Sequence, residues 1–314
     1  EVLAMVNRPS FNPNSSEMEN NGLRNRAITD VFEPGSVMKP FVVASALETG
    51  RWTPTTPIDA SPGWISIGRF SAKDHHNYGP IDITRLITKS SNVAAVKVAR
   101  DLEMEHMWET YDRFGFGDVT GSGIPGESAG VLRSWRRWRP VERDTLSYGY
   151  GISVTALQLA QAFAALADDG RLRSPTLVMG ADNPPASVLD PKLARQVAAM
   201  LETVTGPEGT GKQARVPNYR VSGKTGTSRK SGKGGYQERR YIASFAGFAP
   251  ASDPRIAAVV VVNDPSEGKY YGGAVAAPLF SSVMSGALRL LNVPPDNYEG
   301  MVASTPATVE GGGQ

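Results

Sequence analysis

Apolar residues change their spacing twice along this chain of 314 residues. Near the start, Phe41, Val42, Val43, Ala44, Ala46 and Leu47 form one run, with Pro40 before it and Gly50 after it. That pattern predicts a buried helix, because proline is tolerated in a first turn and glycine ends one. Residues 23–31 lead into it. Residues 51–80 carry Pro54, Pro57, Pro62 and Gly63 and read as short irregular segments. Helical spacing resumes over 81–89 and again from Val93 to Leu102, with Ser90-Ser91-Asn92 at the joint between them. Further helices are predicted over 104–114, 153–169 (apolar face Leu157, Leu159, Ala160, Phe163 and Leu166) and 193–203.

The last hundred or so residues switch to alternating and continuous apolar runs at 219–229, 241–248 and 256–262, which read as strands. Residues 230–235, rich in Lys, Ser and Gly, read as a hairpin tip, and an amphipathic helix over 276–291 closes the domain. Residues 1–7 are also strand-like. The expected fold class is α+β: an antiparallel sheet flanked by helices beside an all-helical subdomain, the first strand joining the late ones in one sheet.

Composition narrows the picture. With 40% hydrophobic and 20% charged residues the chain is globular, with one large core or two modest ones. Its 33 basic and 31 acidic residues leave a net charge of +2, which argues against nucleic acid as a partner. There is no cysteine, which excludes thiol catalysis, disulfides and thiolate-bound zinc and fits an oxidising compartment. The three histidines, His75, His76 and His106, lack metal-ligand spacing, so no metal or cofactor is expected. No apolar stretch reads as long enough to span a bilayer, and the abrupt start inside a strand-like run suggests a fragment with its upstream part missing.

Three short motifs carry candidate chemistry. Ser36-Val37-Met38-Lys39 places a hydroxyl and an amine one turn apart at a helix start, where N–H groups and the positive dipole end favour a developing oxyanion. A neighbouring amine of lowered pKa can take the proton of such a serine. Ser90-Ser91-Asn92 sits where side chains can point into a cleft. Lys224-Thr225-Gly226-Thr227 lies on a strand and offers a charge, two hydroxyls and a glycine against which a ligand carrying a carboxylate can lie.

Singly, each motif is weak. About one S-x-x-K is expected by chance in such a chain, and Ser266 to Lys269 is a second match. Ser10-Phe11-Asn12 and Lys230-Ser231-Gly232 imitate the other two. Gly121 to Gly126 matches a dinucleotide fingerprint without its strand and helix, and residues 206–213 approach a phosphate loop with Gln213 in place of the magnesium-holding hydroxyl. The basic and aromatic run 133–139 reads as a surface loop.

Only the set at Ser36, Ser90 and Lys224 combines order with helix start, joint and strand. In that order the motifs resemble those of the penicillin-recognising serine acyl transferases. The wording Arg24-Asn25-Arg26-Ala27-Ile28-Thr29-Asp30-Val31-Phe32-Glu33-Pro34-Gly35-Ser36 is similar to that of the class B penicillin-binding proteins of cell division, usually called penicillin-binding protein 3. Lys89 to Val93, Tyr148 to Gly151 and Tyr270-Tyr271-Gly272-Gly273 agree. Val37-Met38 stands where the family more often has Thr-Val.

By composition, residues 298–314, ending Glu310-Gly311-Gly312-Gly313-Gln314, read as a disordered tail; the resemblance implies a transpeptidase domain over residues 1–297, without the family's membrane anchor and pedestal domain. It implies a D,D-transpeptidase at the periplasmic face of the bacterial inner membrane that cross-links peptidoglycan stem peptides and is acylated by β-lactam antibiotics. A septal glycosyltransferase and other division proteins would be its partners. Ser36 would be the nucleophile and Lys39 its base; Ser90 would relay the proton, Asn92 would hold the substrate amide, and Lys224 would set the local field. Ser91, Thr225, Gly226 and Thr227 would contact the substrate, and Tyr241, Tyr270 and Tyr271 would wall the cleft. The rival readings are a serine β-lactamase, with Glu127 a conceivable activator of water, a non-catalytic β-lactam sensor, and a purely structural division partner, which would need neither Lys39 nor Lys224.

Overall fold

The computed structural model describes residues 1–12, 14, 22–181, 183–232, 234–266 and 268–297. The chain opens with extended segments and a short helix, α1 (Arg26–Thr29), then enters a 3₁₀ turn, Gly35–Met38, that runs directly into α2 (Lys39–Glu48). Strands β1 (Pro57–Asp59), β2 (Trp64–Ile67), β3 (Phe70–Lys73) and β4 (Pro80–Asp82) follow, then α3 (Ile83–Lys89), α4 (Asn92–Arg100), α5 (Met104–Arg113), α6 (Pro140–Leu146) and α7 (Ala156–Ala167). Strands β5 (Arg171–Leu172) and β6 (Ala186–Ser187) precede α8 (Pro191–Glu202), and β7 (Ser222–Gly232), β8 (Gly235–Ala249), β9 (Ile256–Asn263) and α9 (Gly272–Leu290) complete the order.

The helix α2 is the centre of the molecule. Every residue from Lys39 to Leu47 is buried, which is what an unbroken apolar run rather than a striped one requires. Around Phe41 the rings of Phe114, Phe116 and Phe163 pack edge-on at 4.9, 5.0 and 5.8 Å. Such pairs add to the burial of their area.

The main sheet is antiparallel with strand order β7-β8-β9. Both faces are covered. Ala246 and Phe248 of β8 and Ala257, Val259 and Val261 of β9 join the large core that contains α2, whereas Phe245, Ala249, Ile256, Ala258 and Val260 face α9. Period-two alternation between two buried faces explains why these strands read as continuous apolar runs.

Two expectations need correction. Residues 1–7 form no strand and do not join the sheet; the backbone bond there is Val2 N–H to Thr176 C=O at 2.8 Å, so β9 is an edge among the described residues. In addition, α9 is long and apolar enough to cross a membrane by length and composition. It lies on the sheet instead, burying Ala276, Ala277, Phe280, Met284 and Leu288 on one side. The stretch read as irregular also holds two small sheets, β1 with β4 and β2 with β3, the latter closed by the two-residue turn Gly68-Arg69. The helices predicted over 81–89, 104–114 and 153–169 are present with slightly shorter bounds, and the one predicted over 193–203 begins two residues earlier, at Pro191. The predicted tail lies outside the described residues.

Candidate active site

Ser36 and Lys39 fall in the 3₁₀ turn and at its end, and the Lys39 N–H donates to the Ser36 carbonyl. Side chains three apart eclipse in a 3₁₀ turn, so the hydroxyl and the amine share one line more closely than on an α-helix. Gly35 has φ +60, and a Cβ there would meet the Thr227 carbonyl at 3.0 Å. Its N–H donates to the Gly149 carbonyl at 3.1 Å. The turn is thereby pressed between β7 and the Tyr148-Gly149-Tyr150-Gly151 segment.

Gly226 also serves the packing of the protein itself. The side chain that it lacks would point inward, 2.2 Å from Ser244 Oγ, 2.6 Å from Val37 Cγ2 and 2.8 Å from the Pro34 carbonyl. Its role in this structure is to let β7 approach the turn that carries Ser36.

The second motif closes α3 and opens α4. Ser90 takes the left-handed conformation at φ 59 and ψ 40, which reverses the chain between the two helices. Ser91 is fully buried and not open to a ligand. Its hydroxyl caps α4 by accepting from the Ala94 N–H at 3.0 Å and donates to Asp74 at 2.6 Å. The expected substrate contact is therefore a helix cap. Asn92 accepts from Lys39 Nζ at 2.7 Å through Oδ1 and donates to the Lys73 carbonyl at 2.8 Å through Nδ2.

Lys39 also donates to the carbonyl and, at 3.1 Å, to the hydroxyl of Ser90. From the other side, Lys224 Nζ donates to the same hydroxyl at 2.8 Å. Both amines are fully buried. Burial pulls Lys39 down to about 7, with the negative charge of Asp74 opposing that fall. Burial, and then repulsion from Lys39, pushes Lys224 well below the ordinary lysine range. An ammonium spends all three of its N–H groups on the three partners of Lys39; the neutral amine has a lone pair free to take a proton.

Along β7, side chains alternate. Lys224 points to the α3–α4 joint, while the Thr225 hydroxyl lies 2.8 Å from that of Thr210. Thr227 Oγ1 accepts from the Gly272 N–H at 3.0 Å, which leaves its own proton available for a ligand. Thus Asn92, Lys39, Ser90 and Lys224 form one connected chain of hydrogen bonds, with Ser36 in the turn that runs into Lys39 and Thr227 packed against that turn at Gly35.

The three tyrosines also come together. Tyr241 stacks on Tyr270 at 4.1 Å and 15°, Tyr270 lies 4.4 Å from Tyr271, and the Tyr270 hydroxyl donates to that of Tyr271 at 3.2 Å. Tyr271 meets His75 edge-on at 5.4 Å. Burial, then repulsion from Lys39, lowers the His75 pKa.

Three contributors escaped sequence reasoning. Asp74 was masked by the polar stretch around it, though the alternation of β2 and β3 around Gly68-Arg69 was a legible hairpin signal that would have placed it at a strand end. Thr210 lies in a stretch read only as a failed phosphate loop. Glu33 has one carboxylate oxygen accepting from the Gly151 N–H at 2.8 Å and the Tyr236 hydroxyl at 3.2 Å, and burial raises its pKa. It ties the β7–β8 hairpin and Gly151 to the segment just before Ser36.

The fold and this three-motif arrangement are those of the penicillin-recognising serine enzymes. Residues 1–285 match the penicillin binding protein transpeptidase domain, and the chain belongs to that family. It is 44% identical over 299 residues to the peptidoglycan D,D-transpeptidase FtsI of Escherichia coli K12, covering 94% of this chain and 50% of that protein. It is 40% identical to the probable peptidoglycan D,D-transpeptidase PenA of Neisseria meningitidis serogroup A, covering 94% and 51%. The chain thus spans about half the length of these relatives. Among solved structures, the apo transpeptidase domain of Burkholderia pseudomallei penicillin-binding protein 3 superposes with a TM-score of 0.83 at 43% identity, over 87% of this chain and 83% of that one.

Proposed function

We propose that this chain is the catalytic domain of a division-type D,D-transpeptidase, residues 1–297 forming the domain and 298–314 a tail. The observation that carries the reading is the Ser90 hydroxyl held between two buried amines, Lys39 at 3.1 Å and Lys224 at 2.8 Å, one of them one turn from Ser36. Ser36 Oγ attacks the carbonyl between the two terminal D-Ala residues of a stem peptide, and its proton passes to neutral Lys39. The N–H groups of Ser36 and Thr227 hold the oxyanion, an element whose single donors are worth about 3 kcal/mol. Collapse breaks the amide bond, and Ser90 relays the proton to the leaving D-Ala amine. The ester on Ser36 is then taken by the side-chain amine of a second stem peptide.

Lys224, Thr225 and Thr227 receive the terminal carboxylate, Asn92 orients the substrate amide, and Tyr241, Tyr270 and Tyr271 line the approach. β-Lactams enter by the same route and leave a lasting ester. The protein would act at the periplasmic face of the inner membrane during septum formation, with a septal glycosyltransferase and other division proteins as partners, a reading supported by the likeness of residues 24–36 to the division-type penicillin-binding proteins. A β-lactamase reading loses support from Glu127, whose two oxygens accept from the Thr120 N–H at 2.7 Å and Ser122 Oγ at 2.8 Å within its own loop.

The test supplies a thioester analogue of the D-Ala-D-Ala terminus together with a D-amino acid acceptor and identifies products by mass. The transfer product forming with wild type and not with Ser36→Ala supports the reading. Acylation without any transfer or hydrolysis would favour the sensor instead.

A further inference from the structure

Asp74 belongs to none of the three motifs, yet more of the site hangs on it than on any residue outside them. It follows β3 directly, and its carboxylate accepts three hydrogen bonds from the joint of α3 and α4: from Ser91 Oγ at 2.6 Å, from the Asn92 N–H and from the Val93 N–H at 3.1 Å. The preceding carbonyl, that of Lys73, accepts from Asn92 Nδ2 at 2.8 Å. Asn92 is therefore gripped through its backbone and its side chain by two consecutive residues, while its free oxygen accepts from Lys39. Carboxylates are also stabilised at a helix N-terminus such as that of α4.

The charged and titratable groups around Lys39 come from three places. Lys224 faces it from β7, His75 and Asp74 face it from the segment after β3, and Ser90 and Asn92 contact it from the α3–α4 joint. Among these, Asp74 alone is negative.

We infer that Asp74 is a positioning residue for acylation, holding Ser91 and Asn92 at the start of α4 and, through Asn92, the Lys39 amine in place. The inference rests on the transpeptidase reading above and adds a residue to it. The burial that lowers Lys39 is opposed by Asp74, so removing the charge leaves the amine deprotonated at lower pH. A cap without that electrostatic role would change stability and alignment but not the pH dependence.

The experiment measures the second-order rate constant for acylation by a penicillin between pH 5 and 9 in wild type, Asp74→Asn, Asp74→Glu and Ser91→Ala, with thermal melts for each. Asp74→Asn keeps the shape and loses the charge: the acid limb moves to lower pH by about half a unit or more, and the plateau falls about tenfold. Asp74→Glu keeps the charge with a stretched cap, so its plateau falls while its limb stays in place; Ser91→Ala also leaves the limb in place. An acid limb that stays put in Asp74→Asn, or moves upward, overturns the inference. Should Asp74→Asn not fold, Asp74→Ser takes its place: a limb moved to lower pH supports the inference, and a limb that stays put or moves upward overturns it. Failure of the wild type to acylate at all would instead remove the transpeptidase reading.

Discussion

Lys39 and Lys224 approach one hydroxyl, that of Ser90, from opposite sides, at 3.1 and 2.8 Å, and neither amine is exposed to solvent. Two cations would repel strongly in so dry a place, and an enclosed amine is costly to keep charged. The arrangement favours a neutral amine next to the candidate nucleophile at neutral pH, which is what a lysine base needs.

The acylation rate is accordingly expected to rise with pH along a limb centred near 7, the value to which burial brings Lys39. Below it the amine is protonated and cannot take the Ser36 proton. Stopped-flow acylation across pH 5 to 9 checks this; a flat profile would mean that another group accepts the proton.

The same amine makes a statement about stability. In the folded protein Lys39 titrates at about 7 against 10.5 ordinarily, so between those values the unfolded chain binds more protons than the folded one. Stability from this group therefore rises with pH through that window and is least below it. Lys39→Met should lose at least about 100-fold in acylation. Its melting temperature relative to wild type should be most favourable at pH 6.5 and become less so by pH 9. A difference independent of pH would contradict the burial argument.

Gly226→Ala is expected to cost about 1–3 kcal/mol and to slow acylation, because the added methyl would overlap Ser244, Val37 and the Pro34 carbonyl and push the Ser36 turn away from β7. Urea unfolding and acylation rates check both parts. Normal stability would show that the two elements separate freely.

Ser91→Ala should behave as a lost helix cap, destabilising by about 1 kcal/mol while penicillin acylation stays within about threefold of wild type. A large rise in the penicillin concentration needed for half-saturation would restore Ser91 to the ligand.

The sequence carried the helices and late strands plainly, since α2 is apolar all round and β7 to β9 alternate between two covered faces. It also carried the candidate chemistry in three short runs whose order mattered more than any one of them. What it could not show were relations across the fold. Gly226 reads like a glycine opening space for a ligand, and only the packing of Val37 and Ser244 shows that it opens space for the protein itself. Ser91 and Asn92 are neighbours of similar polarity, yet the geometry of a helix start turns one inward to cap and the other toward Lys39. Asp74 lies 16 residues before Ser90 in a stretch with no motif, and its value depends on where the β2–β3 hairpin ends.

The central claim is that Ser36 is the residue acylated, and intact mass after incubation with a penicillin tests it most directly. One adduct that lasts for hours in wild type and is missing from a folded Ser36→Ala variant is the predicted result. An adduct that persists in that variant, or a wild-type protein that forms none, would contradict the account.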